Sequence, residues 1–224
     1  MEILVIILIL IVASPILLIL FAWGAHSYEV EKAEEKRLEG RFQNAVNRLR
    51  NGDVTGILSV YNNKFDSLET QVIIKIAQTI INNNPKEIKK IAKEHPDIYS
   101  IIEPNLYNTY TNYSKYCFLN KNYLAATIWY KMAYELKQDD KTCSYLGYSY
   151  LQLQDYKNAL FYLEKSIKNF FVLYNLFIIT LYLKQYKEAL YYFSELRKNY
   201  PSELEKKGKL LTKIPLEHLT EEIL

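Results

Sequence analysis

A four-residue pattern, Tyr-x-x-Ala, recurs three times in the C-terminal half of this chain and narrows its fold more than any other feature. It stands at Tyr123-Leu-Ala-Ala126, Tyr156-Lys-Asn-Ala159 and Tyr186-Lys-Glu-Ala189, with the alanines 33 and then 30 residues apart. Four residues after each alanine comes Tyr130, Leu163 or Phe193, and three further on Ala133, Ser166 or Leu196. Steps of four and three keep these positions on one face of an α-helix. A second helical segment precedes each copy, the middle one reading Leu146-Gly147-x-x-Tyr150. Polar stretches, Asn120-Lys121-Asn122 and Gln152-Leu153-Gln154-Asp155, separate the two helices. Two helices per unit at a fixed period predict an all-α array of stacked hairpins, because one hairpin cannot bury its apolar face alone.

On these residues the chain resembles the tetratricopeptide repeat family. The middle unit, about 140–169, carries Leu146, Gly147, Tyr150, Tyr156, Ala159 and Ser166 at the family's positions. The last, about 170–201, carries Leu176, Tyr186, Ala189, Phe193 and Pro201, and the first, about 107–136, carries Tyr110, Ser114, Tyr123, Ala126, Tyr130 and Ala133. Phe177 departs from the pattern, which places a small residue there so that the paired helices approach closely. The resemblance implies a concave surface lined by the first helix of each unit. The positions it places there are Thr111, Lys115 and Phe118, then Lys141, Ser144, Tyr148 and Leu151, then Tyr174, Ile178 and Leu181. Lys115 and Lys141 do not reproduce the Lys, Asn and Arg set with which some members clamp a C-terminal carboxylate. The resemblance therefore implies an apolar peptide or helix as the partner in this groove.

The other end of the chain has a different solvent. No Asp, Glu, Lys or Arg occurs among the 26 residues from Ile3 to Tyr28, and 3–23 is almost wholly aliphatic. About 20 residues at ~1.5 Å each cross a ~30 Å hydrocarbon core. Pro15 is tolerated in such a span, and Trp23 and Tyr28 stand where interfacial aromatics belong. A cleaved signal peptide is the competing reading, with Ala22 and Gly24 at the cut, but Met1-Glu2 supplies no basic leader and the apolar run is too long. Lys32, Lys36, Arg37 and Arg41 follow the span, which puts the C-terminal part on the cytoplasmic side of a cell membrane.

Between these ends the patterns are helical. Residues 28–49 read as a charged stalk helix with Phe42, Val46 and Leu49 on one face, and Asn51-Gly52-Asp53 as a turn. Asp66 with Glu69 reads as a capping box before the isoleucine-rich run from Val72 to Ile81. Asn84-Pro85 opens another helix that Pro96 ends, and Pro104 closes a third short piece. The pair spanning 68–95 is a candidate for a degenerate earlier unit. Beyond Pro201, Ser202 and Glu205 start a capping helix whose Leu204, Leu210 and Leu211 cover the last unit. The expected organisation is an anchor over 1–25, a stalk over 26–65, a helix pair over 66–106, three repeats over 107–201 and a cap with tail over 202–224.

No pattern for catalysis stands out. His26, His95 and His218 are isolated, Cys117 and Cys143 lack a CxxC partner, and no phosphate-cradling glycine loop, nucleophile elbow or HExxH occurs. Neither catalytic, metal-binding nor cofactor-binding residues are expected. A net charge of +3 from 28 basic and 25 acidic residues gives no field for nucleic acid. The expected function is that of a single-pass, membrane-anchored repeat protein acting as scaffold or assembly adaptor for a partner protein. The alternatives are an exported repeat protein chaperoning envelope clients and a regulatory subunit of a membrane enzyme.

Overall fold

The computed structural model describes residues 26–61 and 67–206, and the helices at its two ends continue past those limits. Eleven helices and no strands occur among the described residues. In order they are α1 (Glu2–Arg50), α2 (Val54–Val60), α3 (Leu68–Ile81), α4 (Pro85–Glu94), α5 (Pro96–Leu119), α6 (Tyr123–Leu136), α7 (Asp140–Gln152), α8 (Tyr156–Glu164), α9 (Phe170–Tyr182), α10 (Tyr186–Asn199) and α11 (Pro201–Leu211). The chain is all-α, as the periodicity requires.

The array is longer than the Tyr-x-x-Ala copies reveal. Five helix pairs, α1/α2, α3/α4, α5/α6, α7/α8 and α9/α10, are joined by the same turn. In each, one residue adopts a left-handed conformation, with φ between 52° and 73°, at Gly52, Asn83, Lys121, Gln154 and Lys184. The amide of that residue bonds the carbonyl three back, and the next amide bonds the carbonyl five back, all ten bonds lying between 2.8 and 3.1 Å. This pattern satisfies the orphan carbonyls at a helix C-terminus. The residue after the left-handed one caps the second helix. Asp53, Asn122 and Asp155 do so through side-chain bonds to the amides of Gly56, Ala125 and Asn158.

Because the helices alternate in direction, the five turns lie along one edge and the links between pairs along the other. Consecutive helices pack on one another throughout, and α1 also touches α3 and α5. One core runs from Phe42, Ala45, Val46 and Leu49 through Trp129 to Leu146 and Tyr162, and a second from Ala159 to Leu204. Tyr150 packs against both. Within the expected stalk 26–65, the residues of α1 from His26 to Gly40 are exposed except for half-buried Leu38, whereas Phe42, Ala45, Val46 and Leu49 and the α2 residues Val54 and Ile57 pack into the first core.

Several expectations are corrected. Pro104 does not end a helix. It lies on the exposed side of α5, which continues past it because Ile102, Leu106 and Tyr110 are buried on the other side and hold the helix in register. The expected boundary at 106–107 therefore falls inside α5. Ser67, not Asp66, caps α3, its hydroxyl accepting from the Thr70 amide at 3.4 Å. Pro96 opens α5 as well as following α4. Ser202 forms no capping box and instead bonds the Glu203 carboxylate at 2.9 Å. Leu204 does cover the last pair, whereas Leu210, Leu211, Asp66 and His218 lie outside the described residues. Among the described residues no helix is long and apolar enough to cross a membrane, and the expected span 3–23 lies outside them.

Candidate functional site

A cleft of about 560 Å³ opens between the first halves of α7 and α9, within the volume range of small ligand pockets. Asp140, Lys141, Ser144, Tyr145 and Tyr148 line it from α7, Phe171 and Asn175 from α9, and Ile167 and Asn169 from the link between α8 and α9. The positions on α7 and α9 each recur at steps that share one helix face.

Capping fixes the two walls. Asp139 starts α7, accepting from the Thr142 amide at 2.8 Å and from the Tyr107 hydroxyl. Burial raises the Asp139 pKa, but the bonds from Tyr107 and Thr142 outweigh it and hold the carboxyl below the usual aspartate range. Asn169 starts α9, its side chain accepting from the Val172 amide at 3.0 Å. Lys168 turns back to donate to the carbonyls of Leu163 at 3.0 Å, Ser166 at 3.1 Å and Glu164, closing the end of α8. Burial lowers its pKa from the usual lysine value. With the link held this way, Ile167 stands outward and 65% exposed at the mouth of the cleft.

The lining is apolar with a polar border. Tyr145 stacks on buried Tyr130, ring centroids 5.4 Å apart and planes 8° from parallel, which fixes the floor on the α7 side. Tyr148 is half-buried. Burial pushes its phenol above the ordinary range, and the neighbouring Asn175 side chain partly offsets that. Phe171 is 62% exposed and meets Phe170 edge-on. Around these sit the Lys141 ammonium, the Ser144 hydroxyl and the carboxamides of Asn169 and Asn175. Such a surface takes up an apolar side chain and offers hydrogen bonds to the main chain on either side of it. Among the described residues no cluster of His, Cys, Asp or Glu has the composition of a metal site.

Three of the expected groove residues, Lys141, Ser144 and Tyr148, come together here. The others do not line the cleft. Lys115 is exposed on α5, and Phe118 packs edge-on against Tyr123 at 5.3 Å. Leu151, Tyr174 and Ile178 pack against the second core, with Tyr174 5.9 Å from the Phe170 ring. Thr111 turns its hydroxyl back to the Tyr107 carbonyl at 2.8 Å. Asp140, Tyr145, Ile167, Asn169, Phe171 and Asn175 do not follow from the repeat pattern. A lone isoleucine in the otherwise polar Lys165-Ser166-Ile167-Lys168 was the available signal for one of them. Cys117 and Cys143 are buried free thiols whose pKa values burial raises, the environment of an unreactive cysteine.

Comparison of the chain with protein-family models, with curated proteins and with solved structures finds no match in any of the three.

Proposed function

We propose that this chain is a tetratricopeptide-like helical-repeat protein, held at the cytoplasmic face of a membrane by residues 3–23, that binds a partner protein through the α7/α9 cleft. The observation that carries the reading is the cleft itself. It lies on the first-helix side of two successive pairs, unites Lys141, Ser144 and Tyr148, and leaves Ile167 and Phe171 exposed at its rim. Solvent-exposed phenylalanine beside a concave apolar surface is a common mark of a peptide or helix site. The anchor reading rests on the uncharged run from Ile3 and on the basic residues after it. Holding the domain at a surface raises its effective concentration towards partners on the same membrane.

A photoreactive phenylalanine analogue at position 171 tests this in cells, with the same analogue at Phe161 as control. Phe161 is 48% exposed on α8, outside the cleft, with the Lys165 ammonium 4.0 Å from its ring. The expected result is one protein adduct from position 171, absent from position 161 and lost when Tyr148→Ala is added. Equal adducts from both positions refute the cleft as the binding site.

A further inference from the structure

The edge that carries the five turns holds a second surface of different character. From Pro104 to Tyr134 the sequence contains no Asp or Glu in 31 residues, while Lys115, Lys121 and Lys131 lie within it. At the centre of this stretch is the α5/α6 turn. Tyr116 and Leu119 occupy the last turn of α5 and Leu124 the first turn of α6, and they are 55%, 71% and 64% exposed. Leu119 is the most exposed large hydrophobic side chain among the described residues. Lys115 and Lys121 flank them, both exposed.

The neighbouring α1/α2 turn lies against the side of α5, before this tip. Its Arg50 carbonyl accepts from Asn112 Nδ2 at 3.2 Å, and a Cβ at Gly52 would meet the Tyr113 amide nitrogen at 2.7 Å, so this turn packs on the body of α5, about two helical turns before its C-terminus. Arg50 is exposed there. The acid of that turn, Asp53, is taken up by Arg48 at 2.7 Å and by the Gly56 amide at 2.9 Å. Apolar side chains and the exposed lysines Lys115 and Lys121 therefore meet at the α5/α6 hairpin tip, about two helical turns beyond the α1/α2 turn.

We infer that this tip docks on an anionic lipid surface. The tip can set Leu119, Leu124 and the Tyr116 ring at the boundary of headgroups and acyl chains while Lys115 and Lys121 meet the headgroup charge. α1 runs towards this edge, and about 36 Å of helix at ~1.5 Å per residue separates Arg50 from His26. Resting on the anchor reading above, the lipid is that of a second bilayer, opposite the one that holds residues 3–23, and the chain bridges the two.

The full chain in nanodiscs of phosphatidylcholine, mixed with sucrose-loaded vesicles, tests this by co-sedimentation. Discs carrying the chain are expected to sediment with vesicles of phosphatidylserine and phosphatidylcholine and to stay in solution with vesicles of phosphatidylcholine alone. Leu119→Ser with Leu124→Ser is expected to weaken sedimentation about tenfold, and Lys115→Gln with Lys121→Gln similarly. As control, Lys86→Gln, Lys89→Gln and Lys93→Gln on exposed α4 positions are expected to change it less than about twofold. Helical circular dichroism checks that each variant folds. Chains that never enter the discs sink the anchor reading and the bridge with it. Chains that enter the discs but ignore the acidic vesicles, or that lose them equally with the α4 variant, overturn the tip alone and leave an acidic protein as its occupant.

Discussion

Gly147 sets how closely α7 and α8, the fourth pair, can close. A Cβ there would lie 2.6 Å from Leu163 Cγ, 2.8 Å from Cδ2 and 3.2 Å from the Leu163 amide nitrogen. Leu163 is fully buried, so it has nowhere to retreat. Alanine gains about 1 kcal/mol of helix propensity over glycine, whereas overpacking a closed core costs about 1–3 kcal/mol. Gly147→Ala is therefore expected to destabilise by about 1 kcal/mol. In a Leu163→Ala background the same change fills space instead, and its sign is expected to reverse. Urea denaturation of the four proteins reads both effects; a Gly147→Ala effect of the same sign in both backgrounds would contradict the close approach. Asn83 works at the same scale in a different way. Its side chain accepts from Trp129 Nε1 at 2.9 Å, satisfying the only polar atom of a fully buried ring from a left-handed turn position.

At the scale of elements, the shared turn carries a recurring backbone cost. Lys121, Gln154 and Lys184 hold φ values of 61°, 59° and 58°, a region that disfavours side chains bearing a Cβ by about 1–2 kcal/mol. Gly52 is the only one of the five positions free of that cost. Lys121→Gly, Gln154→Gly and Lys184→Gly are each expected to stabilise by about 0.5–1 kcal/mol, offset in part by the looser unfolded chain. The turns share no hydrogen bonds, so the three gains are expected to add in the triple variant. A urea midpoint that falls on substitution would refute this. The same turn explains what was legible. In pairs three to five the small residues after the turn recur as Ala126, Ala159 and Ala189, all fully buried, and the sequence repeats visibly. In the first two pairs Ile57 and Ile88 occupy the equivalent places, buried just as well, so the geometry persists after the signature has gone. Pro104 misled because proline's local preference is weaker than the burial of Ile102 and Leu106 beside it. In the cleft, helical spacing revealed the α7 wall. The rim could not be read, because whether Phe170 or Phe171 faces inward depends on how α9 is rotated against α7. The link residues Ile167 and Asn169 have no periodicity to follow.

The whole molecule is a stack in which each pair is stabilised by its neighbours, so disturbance should spread by contact rather than everywhere at once. Two cores meet at α8, which sends Tyr162 into the first and Ala159 and Leu163 into the second. Tyr162 stacks on Tyr150 with centroids 5.6 Å apart and planes 4° from parallel, and meets Tyr134 edge-on at 5.4 Å. These rings couple the part that holds α1 to the part that ends in α11. Leu176→Ala, in the centre of the second core, is expected to cost about 2–5 kcal/mol. Hydrogen exchange should then quicken in α9 and α10 while α5 and α6 keep their protection. Adding Tyr162→Ala is expected to widen that difference, because it removes the rings' contact across the junction without touching α9. Uniform acceleration from α5 to α10 in the single variant would instead mean one indivisible cooperative unit. The cleft straddles this junction, its α7 wall tied to the first core through Tyr145 and its α9 wall standing on the second, while the lipid-facing tip lies at the α5/α6 turn. A stack that opens in two parts would be clamped across the junction by a partner in the cleft, and the exchange experiment separates that arrangement from a rigid one.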